Sequence, residues 1–335
     1  MRPMMARSTR TRKFLKWTLI VLIAVIVAYA LGWFYIARTV KARIFTLLQG
    51  QGQQNVVVNC EDIGYNGFPA KFGFFCDDLH VRDRTSDSVF DAPQLKAEAP
   101  VYSPWSVLAT LTGPATLQND AGMLLRAEWQ DFGGKLIYRG GAPRLVSFDF
   151  EAVTARFADP QGRQGTLTAE QGQGLVRNDN GDLDVALNLN EAVLRPQNNA
   201  DALPAVSLNL LATVDGGGAL LETDFHPQML RGKSGIVNQA ALAIGESQSM
   251  MAVSGRFAFD KDGYLDGRFS FELTGIDGVA QLAALSFPGA AGVINSVTGL
   301  VKNFTGGQRT VTLDVRVEHG RAVLGFIPLG KIPPL

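Results

Sequence analysis

Thr310-Val311-Thr312-Leu313-Asp314-Val315-Arg316-Val317-Glu318 puts an apolar residue at every second position. Successive side chains of a strand point to opposite faces, so this spacing predicts a β-strand with one apolar and one polar face. A helix would need apolar positions three and four apart. The rhythm returns upstream. Leu183, Val185, Leu187 and Leu189 alternate with Asp182, Asp184, Asn188 and Asn190, with Ala186 a small exception. Val206, Leu208, Leu210, Ala212 and Val214 form another run, and Phe257, Phe259, Phe269, Phe271 and Leu273 a further pair.

Turn signals separate the runs at hairpin spacing: Gly133-Gly134, Gly140-Gly141, Asp179-Asn180-Gly181, Asp215-Gly216-Gly217-Gly218, Asp262-Gly263 and His319-Gly320. Gly and Asn tolerate the positive φ of tight turns, so the 36 glycines read mostly as turn chemistry. The expected fold is mainly β. It is a large curved antiparallel sheet of about twelve strands, a trough or a sandwich with a few covering helices. The polar stretch 195–201 is the best internal break in 51–335, and it is short enough to be a loop.

Three helices are expected in this body. Ser103-Pro104 has the N-cap and first-turn chemistry of a short helix ending near Gly113-Pro114. Asp277 can cap a helix running to Ser286, with Pro288 as its breaker. A following helix carries the apolar stripe Val293, Ile294, Val297, Leu300 and Phe304. This pair is almost uncharged between Gly278 and Val301 and is expected to cover a sheet face.

At the other end, residues 17–37 contain no charge. As a helix, this run would span roughly 31 Å, against about 30 Å of bilayer hydrocarbon. Trp17 lies at one end and Trp33, Phe34 and Tyr35 at the other, with Leu22 and Ile26 between. Amphipathic rings favour the headgroup level, so the run is expected to be a transmembrane signal anchor. The alternative is a signal peptide cleaved after Ala30 in Ala28-Tyr29-Ala30. Six basic residues and no acid occupy 1–37, which places the tail 1–16 in the cytoplasm and the body outside, in a bacterium the periplasm. Residues 38–50 read as a juxtamembrane helix, with Val40, Ile44, Leu47 and Leu48 on one stripe.

The charge balance of 31 basic and 31 acidic residues therefore conceals a split. Beyond residue 37 the body carries 25 basic against 31 acidic residues, a net of −6, which argues against a nucleic-acid groove. Cys60 and Cys76 can pair in an oxidising compartment; the alternative is two unrelated buried thiols. Two cysteines and three scattered histidines leave no metal or cofactor site to propose.

Motifs for chemistry are weak. Gly232-Lys233-Ser234 lacks the glycine at 227 that a phosphate loop needs, and reads as a surface turn. Asp260-Lys261-Asp262-Gly263 starts like a calcium loop but lacks the remaining ligands, and reads as a hairpin. Asp77-Asp78 beside His80 reads as a solvated strand end. His226 and His319 fall in turns.

Two regions carry a family resemblance. Cys60 to Pro69 with Gly67-Phe68-Pro69, then Phe72 and Cys76, is one; Pro104-Trp105 fits between. The other runs from the Asp262–Gly267 hairpin through His319-Gly320-Arg321 and Gly325 to Gly330, closing on Pro333-Pro334-Leu335. In this order they resemble a bacterial envelope family catalogued as domain of unknown function 2125. The resemblance implies one N-terminal span and a periplasmic β-rich domain, with no catalytic residues to carry over. The hairpin is also remotely similar to AsmA-like envelope proteins, whose β-grooves are associated with lipid handling. The expected protein is not an enzyme. Its expected partners are the bilayer and lipid or another apolar ligand, in envelope maintenance; the alternative is a β-sandwich module docking another envelope protein.

Overall fold

Strands account for most of the molecule. The computed structural model describes residues 17–33, 35, 56–84, 86–197, 203–222, 225–245, 249–286, 292, 294–296, 298–299, 302 and 309–335. They contain one 18-stranded sheet in which every pairing is antiparallel. The count exceeds the twelve expected because several strands are short and share a row.

Ten strands form an unbroken meander, each paired with the next. They are β9 (Ala142–Ala158), β10 (Gln164–Asp179), β11 (Asp182–Pro196), β12 (Val206–Val214), β13 (Ser234–Ile244), β14 (Ser249–Phe259), β15 (Leu265–Thr274), β16 (Thr310–Glu318), β17 (Arg321–Leu324) and β18 (Ile327–Lys331). On its other side β9 meets a split row, β8 (Asp131–Arg139) along its first part and β7 (Leu124–Glu128) along its last. Next comes a second split row, β5 (Ser106–Thr112) and β6 (Ala115–Gln118), both paired with β4 (Ser88–Pro100). Then come β3 (Lys71–Asp83) and an edge shared by β1 (Val56–Asn59) and β2 (Asp62–Asn66). At roughly 4.8 Å per row, about fifteen rows span on the order of 70 Å.

The hairpin chemistry is as read. Asn180 (φ 53°) and Gly181 (φ 104°) join β10 to β11, and His319 (φ 47°) and Gly320 (φ 73°) join β16 to β17. Two successive positive φ values match the right-handed twist of the flanking strands. The stretch after Pro196 joins two paired strands and so is a connection within one sheet; 198–202 lie outside the described residues.

Other expectations change. The helix expected from Ser103 is absent: turns at 100–106 lead into strand β5, where Leu108, Ala109 and Thr110 gain partners on both sides. Pro104 serves a turn there instead of a helix start. Gly133 and Gly134 lie inside β8, opposite Asp149 and Phe148, and are not a turn. Asp77 and Asp78 are mid-strand: Asp78 (φ 48°) lies opposite Pro93 and interrupts the ladder between the pairs Asp77–Gln94 and Leu79–Ala92 without a change of register.

That interruption belongs to a line of irregularities across the sheet. The breaks at 113–114 and 129–130 split the two short rows, and Ala152 (φ 50°) and Glu191 (φ 48°) interrupt the ladders of β9 and β11. Along this line the apolar spacing lengthens from two to three, as in Cys76 to Leu79, Phe150 to Val153 and Leu189 to Ala192, and only the last coincides with a register shift, between β11 and β12. The positive-φ residue within each spacing of three returns the chain to the same face, which stays apolar on both sides of the crease.

The N-terminal helix α1 is described over residues 17–33 and again at 35. Its 17 residues amount to about 26 Å, and among the described residues no helix is long and apolar enough to cross a membrane. Trp17, Leu22, Ile26 and Tyr35 are exposed, whereas Trp33 is 8% exposed. Residues 36–37 and the helix expected over 38–50 lie outside the described residues. Helix α2 (Ile276–Ser286) follows β15 and packs against β13 and β14. Of the next expected helix, Ile294 is helical and half-buried, while Val293, Val297, Leu300 and Phe304 lie outside the described residues. Lys302 Nζ donates to Asp277 and so ties this segment to α2.

Candidate functional site

Strand register assembles an apolar face that no single strand contains. One lane runs Tyr65, Phe74, Ala97, Ala109, Gly134, Phe148, Gly174, Leu187, Leu210, Ala240, Val253, Phe271 and Leu313, each opposite the next. A parallel lane starts at Val107 and passes through Leu136, Val146, Val176, Val185, Ala212 and Val237. It continues through Gly255, Phe269, Val315 and Leu324 to Ile327. Neither lane contains a charged residue. The opposite face reads Asp149, Gln173, Asn188, Asn209, Ala241, Ala252, Glu272 and Thr312 along one lane.

The apolar face is not sealed. Val146 is 41% exposed and Phe148 39% exposed, values that leave no room for a second sheet lying over them. This part of the sheet is an open face, not a closed sandwich. Among the described residues Cys76 is fully buried, and Leu79, Leu183, Ile244, Val311, Val315 and Val317 are nearly so.

Phenylalanine and glycine shape the floor together. Phe148 lies opposite Gly174 and Phe150 opposite Gly172. A Cβ on Gly174 would come 2.3 Å from the Phe148 ring, and one on Gly172 would come 2.1 Å from that of Phe150. The rings therefore lie down over the neighbouring strand. An isolated Gly within a strand can mark such a close approach, but which ring covers Gly165, Gly172 or Gly174 follows only from the register.

Helix α1 meets the sheet at the turn between β2 and β3. The Tyr29 hydroxyl donates to the Pro69 carbonyl at 2.6 Å. The Trp33 ring stacks on Phe72, with centroids 5.6 Å apart, and meets Phe68 edge-on at 5.2 Å. The Gly67-Phe68-Pro69 segment is thus a seat for the helix, a role that sequence spacing did not reveal. Cys60, between β1 and β2, is bonded to Cys76 of β3, with Cα atoms 5.4 Å apart. The bond pins the edge row to β3, four positions along that strand from Phe72.

Ionisable groups sit on the polar face or at the rims, and they disperse. His80 pairs with Asp91 at 2.5 Å, Asp77 accepts from Gln94, and Asp78 faces Glu61. The hydrogen bond and charge of Asp78 push the Glu61 carboxyl up. The Arg177 guanidinium holds Asp184 below the usual carboxylate range, against a lesser push from desolvation. His226 precedes a short 3-10 helix (Pro227–Leu230), and His319 pairs with Asp260 at 3.0 Å. A hollow beside Asp149, Gln173, Asn188 and Asn209 opens on the polar face, and Asp149 is the one ionisable group lining it. Among the described residues, no three His, Cys, Asp or Glu side chains are placed to hold a metal ion. What the arrangement offers is apolar area.

Residues 33–333 match the family model DUF2125, described as an uncharacterized protein conserved in bacteria. No curated protein matches the chain.

Proposed function

The chain belongs to the DUF2125 family, and from that premise we propose that it is a non-enzymatic, single-pass protein of the bacterial inner membrane that holds lipid on the apolar face of a periplasmic sheet. The observation that carries this reading is the uncharged, half-exposed lane running from Tyr65 and Phe74 to Leu313, which begins beside the helix contact at Trp33, Phe68 and Phe72. Acyl chains suit such a face because covering it removes apolar area from water at roughly 25 cal/mol per Å² and asks for no polar partner. The anchor reading is supported by the uncharged run 17–37 and the six basic residues before it. The disulfide suits an oxidising compartment.

Two variants on adjacent positions of β11 test it. Leu187→Asp puts a charge in the apolar lane; Asn188→Asp puts the same charge on the polar face. Full-length protein purified in mild detergent is expected to carry phospholipid by native mass spectrometry. Leu187→Asp should lose most of it and Asn188→Asp should keep it. Equal lipid content in the two variants, or none in the parent, would sink the proposal.

A second reading has its own observation. Phe326, at the tip of the β17–β18 hairpin, is 90% exposed beside β18, which among the described residues pairs with β17 alone. An edge strand with an exposed aromatic is a site for strand addition, so the far edge would dock another envelope protein. Crosslinking from position 326 in whole cells to a discrete protein would favour this reading.

A further inference from the structure

We infer that the rim formed by the turns at 67–70, 100–106 and 138–142 lies on the bilayer surface as an interfacial contact, separate from the span itself. The inference rests on the reading of residues 17–37 as a membrane anchor.

The three turns form one continuous rim. The Val101 N–H donates to the Ala70 carbonyl at 3.0 Å, and the Tyr138 N–H donates to the Trp105 carbonyl at 2.8 Å. Along this rim Tyr102 is 83% exposed, Trp105 52% and Tyr138 43%. Large amphipathic rings left in water on adjoining turns are poorly accounted for by the fold. Tyr and Trp are the side chains that favour the headgroup layer, where the ring body is apolar and the polar tip stays hydrated.

Position gives the second argument. The same rim seats helix α1 through Tyr29 on Pro69 and Trp33 on Phe68 and Phe72. A rim fixed to the outer end of a membrane helix is held at the bilayer surface, and the aromatic turns extend that contact over neighbouring rows.

Charge gives the third. Exposed Arg139 and Arg144 accompany the aromatic turns, with Lys71 beside them ion-paired to Glu98 at 2.7 Å. Farther along the same side of the sheet the turns carry Asp179, Asp182, Asp215, Asp260 and Asp262, in excess over the Arg231, Lys233 and Lys261 interleaved with them. An anionic leaflet attracts the first group and repels the second, so contact ends between the turns at 138–142 and 179–182. Trp105 stands two positions from Val107, where the second apolar lane begins. The contact therefore brings leaflet and lane together.

The test uses full-length protein in phosphatidylethanolamine–phosphatidylglycerol vesicles, with the native disulfide intact. Single substitutions Leu22→Cys, Tyr102→Cys, Trp105→Cys and Phe326→Cys receive an environment-sensitive fluorophore. Spin-labelled lipids quench either at headgroup depth or at mid-chain depth. Labels at 102 and 105 are expected to be quenched several-fold more than the label at 326 by the headgroup quencher, and the label at 22 by the mid-chain quencher. If 22 is quenched but 102 and 105 match 326, the anchor stands and the rim contact is wrong. If 22 is unquenched at both depths, the anchor reading fails and takes the inference with it. Unquenched labels at 102 and 105 that crosslink to a protein in cells would make the patch a protein-docking face instead.

Discussion

At Gly235 a methyl group would have nowhere to go. A Cβ there would lie 2.2 Å from the Thr213 carbonyl oxygen and 2.7 Å from the Phe257 ring. At Gly174 the obstruction is the Phe148 ring alone, at 2.3 Å, and that ring borders an open face into which it can swing. Gly235→Ala is therefore expected to destabilise by about 1–3 kcal/mol, the usual cost of overpacking that forces a backbone shift. Gly174→Ala should cost less, and its larger effect should be on bound lipid, because it lifts the ring from the floor. Urea unfolding of both variants checks the order; an equal or larger loss for Gly174→Ala would contradict it. The in-strand glycines also correct a sequence reading. Alternation of apolar residues was legible, but a glycine beneath a neighbouring strand's ring looks like any other glycine until register is known.

At the scale of elements, the hairpin ends of β14 to β17 are tied by a small polar cluster. Asp260 accepts from the amides of Asp262 and Tyr264, both at 2.9 Å, and pairs with His319, whose ring lies 3.9 Å from that of Tyr264. Ile332 donates to Gly320 and Leu335 to Gly263, so the last residues lie across the same turns. Desolvation pushes the Asp260 carboxyl up, but these hydrogen bonds outweigh it and hold the group below its ordinary value. A depressed carboxylate adds stability that is present above the unfolded value, about 3.9, and is lost as pH falls through the folded one. Asp260→Ala should thus lower the unfolding midpoint near neutral pH, and the gap from the parent should narrow as the pH falls below about 4. Thermal unfolding across that range checks it; a gap that widens in acid would contradict the assignment. The positive-φ interruptions act at this scale too. They were invisible to a strict alternation test because Asp78, Ala152 and Glu191 each change the apolar spacing from two to three.

The whole molecule combines a long sheet with little sealed core. A fully buried Leu or Phe contributes roughly 1.5–3 kcal/mol relative to an exposed one, and half-exposed lane residues forgo part of that. A ligand that binds only the folded sheet adds RT ln(1 + [L]/Kd), about 2.7 kcal/mol at a hundredfold excess over Kd. Protein stripped of lipid by detergent exchange is therefore expected to melt at a lower temperature and to recover when phospholipid is added back. No shift on stripping and re-addition would count against an occupied face. The Leu187→Asp variant should be insensitive to the added lipid.

The sequence by itself determined the class and the direction of the strands, because period-two alternation and positive-φ turn residues are local properties. Val311 to Val317, Asn180-Gly181 and His319-Gly320 needed no partner to be read. It also indicated the 276–286 helix and the means for the Cys60–Cys76 bond. The tertiary structure alone decided that Ser106–Thr112 is a strand, since hydrogen bonds from two neighbours override a helix-start signal at Ser103-Pro104. It decided that lanes from thirteen rows align into one apolar face left half open, that Trp33 sits on Phe68 and Phe72, and that three distant turns share a rim. Those features depend on which residues become neighbours across strands, and register is set by the sum of many pairings, each too weak to be read from its own segment.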